Sequence, residues 1–193
     1  MRPLRTTWAM TSHSVTQNAA IVKAYDFGRF KTVADIGGGH GHLLAAILRA
    51  NPETRGILFD LPHAIQHARA KALLPSDRVE YVAGNFFEEL PRADAYILKH
   101  IIHDWDDDSA LKILSACRRA IPAHGKLLIA EMILPGMNDP GFAKLLDIEM
   151  MLIPGGRERT VEEYSALLQS AGFDLTQAVG TQSSAVVLES EPV

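Results

Sequence analysis

The sequence predicts an α/β protein whose central sheet is doubly wound and mostly parallel, with helices on both faces. Short apolar runs rich in β-forming residues alternate with helical patterns from residue 33 to about residue 131, as expected of successive βαβ units. The 193 residues, 47% of them hydrophobic, are enough to bury one core. We therefore expect a single α/β core.

Before this alternating part, residues 13–25 are predicted to form a helix that buries Val15, Val22 and Tyr25. The clearest predicted helix lies within the alternating part, at 107–121. Its apolar side chains recur at helical spacing, and residues 106–109 supply a cap and first-turn acids. Turn residues separate the apolar runs and define the other elements. The predicted strands cover about residues 33–36, 56–59, 79–83, 94–98 and 126–131, and the helices about residues 42–50, 62–73 and 107–121.

After the fifth strand the pattern changes to loops and two more helices. Residues 134–141 and 153–159 are predicted to be loops, with a helix at 142–152 between them. Thr160 and Glu163 form a capping box that begins the last helix, and Gly172 ends it. The runs 175–179 and 185–189, joined by a short polar link, predict a C-terminal hairpin.

Composition excludes several classes of function. The formal net charge is −4 and the basic residues are scattered, so no surface for nucleic acid is expected. The single Cys117 cannot form an internal disulfide, and no secretion signal is apparent. No apolar run approaches the ~18 residues that span a bilayer. We expect a cytoplasmic protein that binds neither nucleic acids nor membranes.

Polar or glycine residues follow all five predicted strands of the alternating part. Ligands of open α/β sheets bind outside the carboxyl ends of the strands, so these residues predict one binding edge. They are Gly37 to Gly41 with His40 among them, Asp60, Gly84 to Phe86, the group Lys99, His100 and His103, and Glu131.

The glycine-rich turn predicts a nucleoside ligand. Its glycines follow D-x-G-x-G-x-G from Asp35, and His42 stands where the dinucleotide fingerprint has its third glycine. Asp60, 23 residues after Gly37, is suitably placed to accept hydrogen bonds from two ribose hydroxyls. The alternatives are a turn that binds nothing, and a nicotinamide oxidoreductase, which His42 disfavours.

A second group of residues suggests acid–base chemistry. His100 and His103 have a spacing that would suit a metal, but no cysteine or third nearby histidine completes a ligand set, so no metal is expected. His103 instead lies beside Glu131 at the predicted edge, which is the arrangement of a general base and its carboxylate. Glu158 is a candidate second carboxylate, although its position alone suggests an exposed residue near a helix start.

Several segments resemble, in order and spacing, the S-adenosylmethionine-dependent O-methyltransferases of the plant caffeic-acid type and their bacterial relatives that methylate small molecules. The resemblance covers about residue 8 to the end, and its H-D-W and P-G-G-R-E-R-T parts are more specific than the glycine turn. The segments are "VADIGGGHG", "ILFDLP", "GNFFEELPRADAYILKHIIHDWDDDSALKIL", "LLIAEMILP" and "IPGGRERTVEEYSALLQSAGF".

The resemblance implies a Rossmann-like class I methyltransferase fold with a seven-stranded, mostly parallel sheet and a C-terminal antiparallel hairpin. It implies methyl transfer from S-adenosylmethionine, leaving S-adenosylhomocysteine, to a hydroxyl of a small aromatic or polyketide-like molecule. His103 would be the general base, oriented by Glu131 and Glu158. The implied cofactor residues are Asp35, Gly37, Gly38, Gly39, Asp60, Leu61, Asn85, Phe86 and Lys99, and the implied acceptor residues are Met150 and Asp104.

Two departures from the family's pattern stand out. Asn85 replaces the usual aspartate beside the adenine, so we expect weaker cofactor binding. The family's N-terminal dimerisation domain is expected to be absent, with a helical segment over residues 1–28 leading into a methyltransferase domain over 29–193. The implied partner is a second copy or a separate N-terminal domain, docking on an apolar face. The alternative function is a cofactor-binding relative that is catalytically incomplete or repurposed.

Overall fold

The structure is a computed structural model that describes residues 16–135 and 156–193. The strands are β1 (Thr32–Ile36), β2 (Arg55–Asp60), β3 (Val79–Ala83), β4 (Ala95–Lys99), β5 (Lys126–Met132), β6 (Phe173–Gly180) and β7 (Ala185–Pro192). The helices are α1 (residues 16–24), α2 (His42–Ala50), α3 (Pro62–Lys71), α4 (Asp107–Ala120) and α5 (Val161–Ser170), and a 3₁₀ turn (Ile102–Asp104) follows β4.

All seven strands belong to one sheet in the order β3-β2-β1-β4-β5-β7-β6. The pairs from β3 to β5 are parallel, whereas β7 runs antiparallel to both of its neighbours, β5 and β6. The strand order reverses between β1 and β4, and the crevice at such a reversal is where open α/β sheets bind ligands. The predicted fold class, including the C-terminal hairpin, is confirmed.

The helix signals in the sequence correspond to real caps. Asp106 accepts a hydrogen bond from the backbone N–H of Ser109 at the start of α4. Thr160 and Glu163 form the predicted capping box at the start of α5, and Gly172 follows that helix with a φ of +82°. The hairpin strands are longer than predicted because their ladder continues to the pair Phe173 and Pro192.

Apolar side chains cover both faces of the sheet. Residues of α4 and α5, such as Leu114 and Leu168, pack on one face. Ile21 of α1 and Ile47 of α2 pack on the other, so residues that precede β1 are part of the core. In α1 the structure differs from the prediction, because Ile21 is fully buried whereas Val22 is only half-buried.

Some predictions lie outside the described residues. These are Val15, most of the predicted loop at 134–141, and the helix at 142–152 with Met150 in it. Within residues 16–135 and 156–193, no helix has the length and apolar character needed to cross a bilayer. The exposed large apolar side chains of the same ranges are Leu61, Leu73 and Val193, and the apolar docking face stays a prediction.

Candidate active site

The glycine turn lies at the reversal point of the sheet. Gly37 and Gly39 have φ angles of +69° and +58°, a region that strongly favours glycine. A Cβ on Gly37 would come 2.6 Å from Cδ1 of Ile101 and 3.7 Å from Cε1 of Phe86, so the segments after β1, β3 and β4 meet here. A Cβ on Gly39 would meet no atom within 4 Å, so this part of the backbone is open to a ligand.

The carboxylate of Asp60, at the end of β2, is fixed beside this turn. Its Oδ2 accepts a hydrogen bond from the N–H of Gly39 at 2.8 Å, and its Oδ1 accepts one from the N–H of Leu61 at 2.6 Å. Each carboxylate oxygen can accept a further hydrogen bond. The geometry therefore suits the two adjacent hydroxyls of a ribose, and Leu61, which is exposed, borders the same place.

Asp35 occupies a different position from the other predicted cofactor residues. It is buried beneath the turn, and a Cβ on Gly38 would come 2.5 Å from its Cγ. Burial raises the pKa of Asp35 to about 7, although the charge of Lys99 and the N–H of Leu44 oppose that shift. Asp35 thus supports the turn from the sheet side, and its direct contact with a cofactor remains a prediction.

Three aromatic rings pack edge-to-face next to Gly37. The ring centroids of Phe86 and Phe87 are 5.0 Å apart, and those of Phe87 and Trp105 are also 5.0 Å apart. Sequence reasoning found Phe86 but gave no role to Phe87 or Trp105, although Trp105 belongs to the H-D-W segment. The cluster provides an apolar wall of the kind on which a flat base can pack.

Asn85 is engaged with its own turn. Its Oδ1 accepts a hydrogen bond from the N–H of Phe87 at 3.1 Å, and its Nδ2 donates one to Glu88 at 3.3 Å. Lys99, at the end of β4, is half-buried, and that burial lowers its pKa. Both residues lie at the predicted edge, and their contacts with a cofactor remain predictions.

His103 lies in the 3₁₀ turn after β4 and is 7% exposed. Its Nδ1 is 2.8 Å from Oε1 of Glu158 and 3.8 Å from Oε2 of Glu131, while its Nε2 is 3.5 Å from Oδ1 of Asp104. Burial opposes protonation of this ring, but the hydrogen bond to Glu158 and the charge of Glu131 raise its pKa to about 9. The ring therefore lies among three carboxyl groups.

Glu131, fully buried in β5, binds the backbone of the 3₁₀ turn as well as facing His103. Its Oε1 accepts hydrogen bonds from the N–H groups of Ile101 and Ile102, both at 3.0 Å, and from that of His103 at 3.5 Å. Burial acts to raise the pKa of Glu131, but its contacts with His100, His103 and the backbone hold that pKa below its usual range. One carboxylate thus fixes the turn that carries His103.

Glu158 is buried, at 1% exposure, which corrects the expectation drawn from its position alone. A Cβ on Gly156 would come 2.0 Å from the carbonyl oxygen of His103, so only glycine lets this loop approach so closely. The N–H of Arg157 donates to the same carbonyl at 2.9 Å. The loop is therefore held directly against the 3₁₀ turn.

Arg159, which sequence reasoning did not single out, anchors the same loop. It is 1% exposed, and its guanidinium donates to the carbonyls of Ile102 and Trp105 and to Oδ1 of Asp107. An arginine in that position saturates buried carbonyls that would otherwise be unpaired. The R-E-R triplet was the available signal, but the pairing of Arg159 with residues over 50 positions away was not readable from it.

His100 adds a second imidazole to the site. It has a φ of +54°, unusual for a residue with a side chain. Its Nδ1 is 3.3 Å from Oε2 of Glu131, and its Nε2 is 2.7 Å from Oε1 of Gln17 in α1. Glu131, which the sequence placed beside His103, is thus close to both histidines.

A comparison with known protein families identifies the family of this chain. The model of the O-methyltransferase domain matches residues 4–174. The chain belongs to the O-methyltransferase domain family. It is 49% identical over 178 residues to phenazine O-methyltransferase PhzM of Lysobacter antibioticus, and 41% identical over 170 residues to caffeic acid 3-O-methyltransferase of Clarkia breweri.

These two relatives are considerably longer than this chain. The two matches cover 90% and 85% of this chain but only 52% and 45% of the relatives. The chain thus spans about half the length of the curated relatives that it matches. Among solved structures, an O-methyltransferase from neocarzinostatin biosynthesis, in complex with S-adenosylmethionine and 2-hydroxy-5-methyl naphthoic acid, matches with a TM-score of 0.85 and 31% identity, covering 96% of this chain and 56% of that one.

Proposed function

We propose that this chain is the cofactor-binding and base-carrying part of an S-adenosylmethionine-dependent O-methyltransferase that acts on a small aromatic or polyketide-like hydroxyl. The observation that carries the proposal is the buried pair of His103 and Glu158, 2.8 Å apart, at the same sheet edge as Asp60 and the glycine turn. The names of the relatives, which include phenazine and caffeic acid methyltransferases, support a flat aromatic acceptor.

The cofactor residues would act mainly through the backbone and Asp60. The open face of Gly39 lets a ligand lie against the chain, and Asp60 can receive two hydroxyl hydrogen bonds. We extend the cofactor site to Gly37, Gly38, Leu61, Asn85, Phe86 and Lys99, with Asp35 supporting the turn. When bound, S-adenosylmethionine supplies a methyl group that is electrophilic because it is carried on a sulfonium.

His103 would act as the base that removes the acceptor's proton. A phenol with a pKa near ~10 is a weak nucleophile at neutral pH. Because the pKa of His103 is about 9, only the neutral fraction of the ring would remove the phenol's proton, and a positioned base contributes typically ~10²–10⁴-fold. Nε2 would take the proton, while Glu158 accepts the hydrogen bond from Nδ1–H and stabilises the imidazolium. Glu131 holds the turn that presents the ring.

The other expectations also stand as proposals. Asp104, 3.5 Å from Nε2 of His103, and Met150 would contact the acceptor. We propose a cytoplasmic enzyme of secondary metabolism that works as a homodimer or with a separate N-terminal domain. The alternative, a cofactor-binding relative that does not transfer methyl groups by itself, is favoured by the local hydrogen bonds of Asn85.

The test separates these two functions. The first step is calorimetric titration of the purified chain with S-adenosylmethionine and S-adenosylhomocysteine. The second measures transfer of a labelled methyl group to a panel of phenols and hydroxyphenazines. It compares the wild type, His103→Ala and, as a control, His124→Ala just before the amino-terminal end of β5. Binding plus transfer that only His103→Ala abolishes supports the methyltransferase, whereas binding with no transfer supports the alternative, and no binding refutes both.

A further inference from the structure

Three side chains of the types that bind transition metals meet where β4 and β5 end. His100, His103 and Glu131 each place one ring nitrogen or carboxylate oxygen so that all three atoms lie within 4.8 Å of one another. Oε2 of Glu131 is 3.3 Å from Nδ1 of His100 and 3.8 Å from Nδ1 of His103. Ligand atoms of a tetrahedral zinc ion are about 3.4 Å apart. The pair of Glu131 and His100 already has that spacing, whereas His103 would move toward the ion.

Glu131 is oriented for this task before any ion arrives. Its Oε1 is fixed by the N–H groups of Ile101, Ile102 and His103, which leaves Oε2 directed at the two imidazoles. A carboxylate that is itself held by hydrogen bonds is the usual condition of a metal ligand. Ion binding would therefore need no rearrangement of this side chain.

His100 is also held by a partner outside the three-residue group. Its Nε2 is 2.7 Å from Oε1 of Gln17, and its Nδ1 faces Oε2 of Glu131 at 3.3 Å. Gln17 thus corresponds to the outer partner that orients metal-bound histidines.

We propose that His100, His103 and Glu131 form a binding site for one transition-metal ion of the Zn²⁺ type. An ion bound to Nδ1 of His103 would displace the proton of that nitrogen to solvent and break its hydrogen bond to Glu158, and would thereby block the base. Glu158, 2.8 Å from Nδ1 of His103, and Asp104 add negative charge beside it. The side chain of His100 is 28% exposed, which gives the ion access. Metal binding requires only these ligand atoms, so it goes beyond the proposed methyl transfer and does not depend on it.

The test uses the purified 193-residue chain, without a histidine tag or cofactor, titrated with Co²⁺ alone and then with Zn²⁺. We expect one equivalent of Co²⁺ to give the strong visible absorption of a four- or five-coordinate ion, and Zn²⁺ to abolish it. His100→Asn should lose the signal. Gln17→Ala should weaken binding by roughly 10–100-fold, the usual effect of losing an outer partner. The control is His124→Asn, whose side chain is 79% exposed far from the site.

Two results would overturn the proposal. One is the absence of the Co²⁺ signal in a wild-type chain that circular dichroism shows to be folded. The other is a signal that persists in His100→Asn, which would place the ion elsewhere, for example at His40 and His42. If His100→Asn does not fold, the ring resonances of the wild-type histidines decide, because Zn²⁺ must shift those of His100 and His103 and not those of His40 and His42.

A third measurement concerns the blocked base and rests on the proposed function. Where methyl transfer is detected, Zn²⁺ should inhibit the wild type and His124→Asn at the concentration at which it binds, and should inhibit His100→Asn only at a concentration at least 10-fold higher. Inhibition of all three at the same concentration would refute the proposed blocking. A chain that transfers no methyl group but still binds Co²⁺ through His100 refutes the methyltransferase alone.

Discussion

The buried carboxyl of Asp35 lowers the free energy of unfolding when it is charged. Its carboxyl is buried and its pKa is about 7, against an ordinary value near ~3.9. The folded chain therefore binds a proton that the unfolded chain has lost, so this group's contribution to stability is full below pH ~4 and is lost as the pH rises through about 7. The glycine turn is thus built on a group that destabilises the fold at neutral pH.

Asp35→Asn should remove this dependence. We expect its free energy of unfolding, relative to the wild type, to rise by about 1.4 kcal/mol per pH unit between pH ~4 and pH ~7 and then to stay constant. Urea unfolding at several pH values measures the difference. Parallel profiles of unfolding free energy against pH for the two proteins would show that the pKa of Asp35 is not raised.

Glu158 accepts a hydrogen bond from His103. Glu158→Gln keeps the shape of the side chain but removes the negative charge that stabilises the imidazolium of His103. We expect kcat for methyl transfer to fall by about 10²-fold or more, with the affinity for S-adenosylhomocysteine changed by less than about 3-fold. Steady-state kinetics beside calorimetry make the comparison, and an unchanged kcat would contradict the role of Glu158.

At the scale of elements, the turn between β1 and α2 shows which glycines serve folding and which serve binding. A Cβ at Gly39 would point into open space, so Gly39→Ala should cost only about 1–2 kcal/mol of stability for its left-handed backbone. The same methyl group would project toward the cofactor, and affinity for S-adenosylhomocysteine should fall at least about 10-fold. Gly180→Ala, equally free of contacts but with an ordinary φ, is the matched control in both measurements.

For the loop before α5 we expect the opposite result, namely lost methyl transfer with retained cofactor affinity. A Cβ at Gly156 would overlap the carbonyl of His103 at 2.0 Å, so Gly156→Ala must push the loop, and Glu158 with it, away from His103. Methyl transfer should fall to the level of Glu158→Ala while cofactor affinity is retained, because the described residues 156–159 contact the 3₁₀ turn and its neighbours rather than the glycine turn. A double variant, Gly156→Ala with Glu158→Ala, should lose no further activity; a large additional loss would show that the loop acts in another way.

At the scale of the whole molecule, the reversal of strand order between β1 and β4 gathers the site from residues far apart in the chain. Asp60, Phe86 and His103 all reach one crevice because parallel strands end at the same edge. A ligand that bridges several strand ends should therefore stabilise the entire sheet against unfolding.

S-Adenosylhomocysteine at about 100 times its Kd should raise the free energy of unfolding by about 2.7 kcal/mol. Asp60→Ala should lose most of this effect, since the carboxylate holds Gly39 as well as the expected ribose hydroxyls. Thermal unfolding with and without the ligand measures both. Equal stabilisation of the wild type and Asp60→Ala would place the ligand elsewhere.

The sequence by itself determined the elements and their order. Periodic apolar runs, the capping box of Thr160 and Glu163, and the glycines before α2 are local signals, because the spacing of side chains along one element decides them. Asp60 and His103 were also predictable, since the ends of parallel strands must meet at one edge. Glu158 was a candidate second carboxylate in the sequence, and the resemblance to a family implied that it orients His103.

Only the tertiary structure decided what surrounds these residues. The contacts of Glu131 with His100, of Glu158 with His103, and of Arg159 with the 3₁₀ turn join positions 31 to 57 residues apart. No local spacing encodes such pairs, because they depend on how the elements pack. Burial follows from the same packing, and for that reason Asp35, Glu131 and His103 acquire pKa values in the fold that their sequence neighbours do not predict.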